Sequence, residues 1–480
     1  MIRLAAFLVA SSLGAQNIAI TGVNVVDLTA GAIVQGQTVV ITGDRITALG
    51  PAASTRPPVQ AHVIDGTGHY LMPGLWDMHV HLRSNPVDRD RPLVDENAAT
   101  LELFLAHGVV GVREMGGDLH EHVLRWRGEI AAGKRLGPRI LTAGRKLDGA
   151  VPSWPGSIST MSAAEAREAV KQMKKGGADF IKVYYNEVQP PVFRAVLDEA
   201  HAQGLKVTGH LPRNLTLAAA VAAGLDGIEH GMYLRTPKDE VWEGYLAESR
   251  QRTKDGIAAD GPESTRRQMY LHDAAEAARL YPRLAARPFW VTPTLMVEAR
   301  VRYEISERKF GADPRRLFFD PAIWASWDPE TGRRRPPTGA ALDALKKSAR
   351  QVRELTVQAH KAGVPLLAGT DCGVSNNYVM PGWSMHEELA VMVEAGLTPA
   401  EVLRTATSNA ARWRGAEATE GAVAQGMKAD LLLLRANPLT AIGATRELET
   451  LILGGRLFSR SQLDAMLDAA ARRVEQSKTR

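Results

Sequence analysis

Leu75-Trp76-Asp77-Met78-His79-Val80-His81 is a short apolar run, set off by Pro73-Gly74 and ending in two histidines. It reads as a buried strand over Leu75–Val80. Residues two apart on a strand share a face, so His79 and His81 can grip one metal ion together. A His-x-His pair also occurs without a metal, so its meaning rests on what the other strands end in.

Seven more apolar runs follow: Val109–Arg113, Arg139–Thr142, Phe180–Val183, Lys206–Thr208, Gly227–Ile228, Trp290–Thr292 and Pro365–Ala368. Amphipathic helical stretches lie between them, among them Ser162–Lys175, Val192–Ala202, Leu215–Ala223, Leu271–Ala286 and Leu342–Ala362. The first opens on Ser162 with Glu165 three residues on, the spacing of a capping box. Eight strand–helix repeats point to an α/β fold, a closed (β/α)8 TIM barrel. The stretch from Arg235 to Pro288 adds helix between the sixth and seventh strands, either a lid or a decoration.

In such a barrel the chemistry sits at the C-terminal ends of the strands. There the fourth strand carries Lys182, the fifth His210 and the sixth His230, and the eighth leads through Gly369-Thr370 to Asp371. Each has a plain structural reading. Lys182 could reach a surface carboxylate, His210 could be a satisfied core histidine, and Asp371 could cap a helix. With His79 and His81 they make six residues at matching strand ends, and together they point to a metal site.

Residues 17–70 alternate with period two and are punctuated by Gly22, Gly31, Gly36, Gly43 and Gly50, as short strands with tight turns would be. The pattern returns at Ala429–Leu434 and Thr450–Leu453, where Gly454-Gly455 turns into Arg456-Leu457-Phe458. The expected plan is a small β-sandwich from residues 16–70 and 420–460, a barrel over 71–419 and a helical tail over 461–480. A chain of 480 residues has room for this plan, because an α/β barrel takes about 250. Residues 1–15 look like a secretory leader: Arg3, the apolar stretch Leu4–Ala10, then small residues to Ala15. The mature chain would begin near Gln16 and be periplasmic or secreted. If the segment is instead a first buried strand, the chain stays cytoplasmic.

Net charge is +5, from 58 basic and 53 acidic residues, and the densest basic cluster, Arg333–Arg335, reads as a solvated loop. No nucleic-acid partner is expected. No stretch beyond the leader is long and apolar enough to span a membrane. Cys372 is the single cysteine, so an internal disulfide is excluded. The expected partner is a small-molecule substrate, and a homo-oligomer stays open.

The segments Pro73–His81, Asp179-Phe180-Ile181-Lys182-Val183-Tyr184, Gly209-His210-Leu211-Pro212, Ile228-Glu229-His230-Gly231 and Ala368-Gly369-Thr370-Asp371 together resemble the amidohydrolase superfamily. Within it the chain is similar to the branch of imidazolonepropionases and Xaa-Pro dipeptidase-like (prolidase-like) enzymes. The tail Gly426-Met427-Lys428-Ala429-Asp430-Leu431, with Ala436-Asn437-Pro438-Leu439, fits as well. The resemblance implies two divalent metals, zinc expected. His79, His81 and Asp371 would hold one and His210 and His230 the other. Lys182, carboxylated by CO2 to a carbamate, would bridge them, because an unmodified lysine is a cation and cannot sit between two metals. It further implies attack by a metal-bridging hydroxide on an amide-type C–N bond, with Asp371 moving the proton to the leaving amine. Tyr233 resembles a tyrosine that assists at the scissile carbonyl, although a packing tyrosine would look the same.

Deaminases of this superfamily usually place a Glu a few residues after the fifth-strand His, whereas this chain has His210-Leu211-Pro212-Arg213. That absence, with Lys182 present, favours a two-metal hydrolase of N-acyl amino acids, dipeptides or cyclic amides. Esterase, lactonase or phosphotriesterase chemistry would use the same site. A non-catalytic scaffold would be expected to lose ligands. The prolidase-like branch often carries Gly-Gly-His-Gly after the third strand; here the stretch is Gly144-Arg145-Lys146-Leu147-Asp148-Gly149-Ala150-Val151-Pro152. Arg145, Lys146 and Arg235 are the candidates for meeting a substrate carboxylate, or are solvated loop charges.

Overall fold

A computed structural model describes residues 17–84, 93–150, 152–255, 270–297, 313–328, 338–374 and 378–477. The expected leader and the 333–335 basic cluster lie outside the described residues. The strands in chain order are β1 (Ile18–Asp27), β2 (Ala32–Thr42), β3 (Arg45–Pro51), β4 (His62–Asp65), β5 (Tyr70–Pro73), β6 (Leu75–Val80), β7 (Val109–Glu114), β8 (Arg139–Thr142) and β9 (Lys146–Asp148). They continue with β10 (Ile158–Ser159), β11 (Ile181–Val183), β12 (Val207–Gly209), β13 (Gly227–Glu229), β14 (Trp290–Thr292), β15 (Leu431–Leu434), β16 (Leu448–Leu453) and β17 (Arg456–Ser459).

The two chain ends meet in one eight-stranded sheet, ordered β17-β16-β15-β5-β1-β2-β3, with β4 also pairing β1. The join is the antiparallel pair β5–β15, in which Leu431 faces Pro73 and Leu434 faces Tyr70. Alternation along these strands feeds two cores. Leu71, Leu431 and Leu433 belong to a small cluster with Ile18, Ile20, Val39, Ile41 and Ile46. Met72, Leu432 and Leu434 point the other way, into the large core of the central body.

That body is an α/β arrangement of parallel strands. One arc is β6-β7-β8 and the other is β10-β9-β11-β12-β13-β14. The stretch beyond the third expected strand thus contains β9, which pairs β11 with Lys146 opposite Lys182. The expected eighth strand, Pro365–Ala368, forms no ladder of its own. Leu366 bridges Val291 of β14, Cys372 bridges Val80 of β6, and the Met78 N–H donates to the Ala368 carbonyl at 2.9 Å. Segment 365–372 therefore runs between β14 and β6. Two features keep it from strand geometry: Pro365 has no N–H to give, and Asp371 turns the backbone to φ 60°. Among the described residues no continuous ring of strand pairing is seen.

The helices follow their sequence signals. Helix Ala163–Lys175 is capped by Ser162 and Glu165 in a reciprocal capping box, and Pro399–Thr405 repeats the device with Thr398 and Glu401. Asp239–Lys254 and Ala274–Ala285 lie in the stretch after β13. No helix of the described residues is long and apolar enough to cross a membrane.

Candidate active site

The β6 end is anchored before it offers ligands. Asp77, fully buried, accepts from the Thr370 N–H at 3.0 Å and the Thr370 hydroxyl at 2.6 Å, which ties the 369–371 segment to β6. Gly369 lets this approach happen, since a Cβ there would lie 2.7 Å from the His79 Cβ and 2.6 Å from Thr292 Cγ2. The result brings Asp371 Oδ1 to 2.9 Å from His81 Nε2 and 3.4 Å from His79 Nε2. One ligand atom from each of His79, His81 and Asp371 falls within 4.8 Å of the others, a grouping fit for one cation.

His79 is aimed by a buried network. Its Nδ1 lies 2.8 Å from Glu229 Oε2. Glu229 also accepts from Arg113 Nη2 at 2.8 Å and from the Thr208 hydroxyl at 2.6 Å, while Arg113 Nε donates to the Met78 carbonyl at 2.6 Å. Burial pushes the Glu229 carboxyl up, but Arg113 and His79 overcome it and hold the group ionised, well below the usual range. An ionised Glu229 is the partner for a proton on His79 Nδ1, the arrangement that would leave Nε2 as the ligand atom once a cation binds beside Asp371.

The second half of the rim comes from β12 and β13. Gly209 is required before His210, because a Cβ would sit 2.1 Å from the Val183 carbonyl oxygen. His230 Nε2 lies 3.0 Å from His210 Nε2, and His230 Nδ1 lies 2.7 Å from the Thr294 hydroxyl. His230, Thr294 and Asp371 all have positive φ, at 75°, 47° and 60°. Non-glycine residues held there tend to mark functional sites. Burial drives His230 down to about 3 and His210 well below its usual value, so both present neutral rings able to ligate. Burial also raises the Asp371 carboxyl, but hydrogen bonds from His79 and His81 prevail and hold it well below the carboxylate range.

Lys182 lies on β11 between these halves. It is 1% exposed and its Nζ has no hydrogen-bond partner. Burial lowers its amine to about 8. Lys146 is equally buried, with Nζ also without a partner and 5.0 Å from the Trp154 ring centroid. The Tyr184 ring lies against His210, tilted by 38° with 4.0 Å between centroids, and Tyr233, half-buried, has its ring 5.7 Å from that of His210.

The other two expected substrate contacts are placed differently. Arg145 is exposed and donates from Nε to the Gly156 carbonyl at 2.6 Å. Arg235 is buried, with Nε donating to Gln351 at 2.8 Å and Nη2 to Ser348 at 2.6 Å, both on helix Gly339–Lys361. The structure thus gathers the six expected ligand residues with Lys146 and Tyr233. It adds Glu229, Arg113 and Thr294, which carried no signal of their own in the sequence.

The amidohydrolase family profile matches residues 70–458. Adenine deaminase of Rubrobacter xylanophilus is 29% identical over 230 residues, 45% of this chain but 35% of that protein, so the match spans about a third of that relative. Ochratoxinase of Aspergillus niger is 24% identical over 439 residues, covering 81% of this chain and 75% of its own. A Bifidobacterium longum structure assigned as a prolidase is 26% identical, with a TM-score of 0.64 over 95% of this chain and 99% of that one. These similarities give the body a TIM-barrel-like α/β fold and define the class as a hydrolase acting on carbon–nitrogen bonds. The chain belongs to the amidohydrolase family, in its prolidase-like branch.

Proposed function

We propose that this protein hydrolyses the amide bond of a small, carboxylate-bearing substrate (an N-acyl amino acid, a dipeptide or a cyclic amide) with two divalent metals, zinc expected. The observation that carries the reading is the coincidence, in one buried rim, of three donor atoms within 4.8 Å, two facing Nε2 atoms 3.0 Å apart and an orphaned lysine amine. Buried polar atoms without partners are rare, and neutral imidazole lone pairs aimed at one another repel unless a cation or proton lies between them. The donor set fits the implied metals. His79, His81 and Asp371 would hold one, and His210 and His230 the other. Lys182 would stand between as a carbamate, its neutral Nζ adding to the carbon of CO2 and losing a proton. When bound, two cations supply an acidified water and an electrophile for the carbonyl oxygen.

The chain's own residues do the rest. Asp371 accepts the proton of the attacking water and hands it to the leaving nitrogen as the C–N bond breaks. The Tyr233 hydroxyl donates to the carbonyl oxygen. Burial depresses the Lys146 amine. An arriving carboxylate restores its charge and is held there, between the Trp154 and Tyr184 rings. The remaining parts of the reading are that the two arcs and segment 365–372 close as one (β/α)8 barrel, that residues 16–70 and 420–460 form a β-sandwich domain packed on it, and that residues 1–15 direct export.

The test is a substrate panel of N-acyl amino acids, dipeptides, cyclic amides, lactones and phosphotriesters, run with and without chelator. The expected result is chelator-sensitive turnover of a carboxylate-bearing amide, with Lys146→Met raising KM for it more than it lowers kcat. Turnover confined to esters or phosphotriesters, or indifferent to chelator, would contradict the proposal.

A further inference from the structure

The ends of β13 and β14 are laced together beside the second histidine pair. The His230 N–H donates to the Thr292 carbonyl at 2.7 Å and the Gly231 N–H to the Pro293 carbonyl at 2.9 Å. The next residue, Thr294, is fully buried, holds φ at 47° and sets its hydroxyl 2.7 Å from His230 Nδ1. A β-branched residue does not adopt this φ by preference, so something must hold it there. Glu388 holds the two residues that follow it. Its two carboxylate oxygens accept the N–H groups of Leu295 at 2.9 Å and Met296 at 2.7 Å, and it too is fully buried. Glu388 belongs to helix Trp383–Glu394, the first helix after the Asp371 segment.

We propose that Thr294 and Glu388 are positioning residues for the second metal: Thr294 accepts the His230 Nδ1–H and leaves Nε2 as the lone pair toward the ion, and Glu388 clamps Thr294 in its strained backbone conformation. The clamp reaches from the helix that follows Asp371 to the strand end that carries the partner of His230. It therefore also fixes the spacing between the two halves of the rim. The arrangement parallels Glu229 and His79 on the other half, with a neutral hydroxyl in place of a carboxylate. Outer hydrogen-bond partners of metal-ligating histidines set the tautomer and ring direction, and losing one typically costs about 10–100-fold in metal affinity.

The inference rests on the reading that His210 and His230 share a metal, and the test separates the two. The full chain, stripped by chelator, is titrated with Co2+ by absorption and with Zn2+ by calorimetry, for wild type, Thr294→Val, Thr294→Ser and Glu388→Gln. Wild type should take two equivalents. Thr294→Val and Glu388→Gln should keep the first with unchanged affinity and weaken the second roughly 10–100-fold. Thr294→Ser, which keeps the hydroxyl, should restore most of it. Nitrogen NMR of the metal-free protein should show a protonated His230 Nδ1 in wild type and a mixed tautomer in Thr294→Val, a change that a purely structural role would not produce. Should Thr294→Val fail to fold, Glu388→Gln carries the test. Two unaltered affinities in both variants would overturn the clamp and leave the two-metal reading standing. A loss in Thr294→Val alone would overturn the Glu388 half. A wild type that takes one equivalent would overturn both.

Discussion

Asp371 answers to two demands at one carboxylate. It faces His79 and His81 as a ligand, and in the proposed reaction it moves the proton from water to the leaving nitrogen. Burial alone would raise its pKa, but the hydrogen bonds from the two histidines win and keep it an anion over the working range. Activity should therefore fall only on the acidic side, where this unit gains a proton. Asp371→Asn nearly keeps the shape and removes the acceptor. Turnover should drop by at least about 10²-fold, the low end for a general acid–base group. The acidic limb of the profile should vanish while most metal stays bound. Turnover against pH for both proteins, with metal content in parallel, checks this; near-normal turnover with an intact acidic limb would assign the proton to another group. His79, His81, Lys182, His210, His230 and Asp371 were legible because strand ends recur at readable intervals. Glu229, Arg113, Thr294 and Glu388 were not. A polar side chain inside an apolar run or on a buried helix face has no spacing of its own, and only the packed fold reveals which ring, carboxylate or backbone group it touches.

At the scale of elements, the rim depends on how closely backbones approach. The motif Gly369-Thr370-Asp371 reads in sequence as a strand end, yet the segment makes only isolated bridges, because a proline opens it and a positive φ ends it. What it needs is proximity to β6. Gly369→Ala would place a methyl 2.7 Å from the His79 Cβ and 2.9 Å from the His79 nitrogen, where backbone cannot yield cheaply. Overpacking of this kind typically costs about 1–3 kcal/mol. The variant should melt earlier and lose the metal proposed for His79, His81 and Asp371 before the one proposed for His210 and His230. A Gly369→Ala protein with wild-type Tm and full metal content would show that the close packing does not set the ligand geometry. Sequence reading was firmer for helices than for this segment. Ser162 and Glu165 announce their helix through local chemistry, whereas β9 was hidden, being three residues long and containing two charged side chains, Lys146 and Asp148.

At the scale of the whole molecule, strands from both ends of the chain join one sheet, and alternation within Leu431–Leu434 sends successive leucines to two different cores. Strands at both ends were legible from period-two patterning; that they join one sheet, and which of them adjoin, was not, since β5 and β15 lie more than three hundred residues apart. Leu432, fully buried in the large core, joins the sheet to the catalytic body. Leu432→Ala should cost about 2–5 kcal/mol, read from denaturant midpoints. A cost below that range would mean that the sheet contributes little to holding the body.

The proposed chemistry needs two cations in one rim, with Lys182 between them. The most direct measurement is elemental analysis of protein prepared without chelator, wild type beside Lys182→Ala, with turnover followed in the same samples. Wild type should hold close to two divalent metals per chain. Lys182→Ala should lose the second metal and most of the activity, and added short carboxylates should restore part of both. A wild type fully active with less than one metal equivalent, or a Lys182→Ala protein with unchanged metal and turnover, would contradict the account.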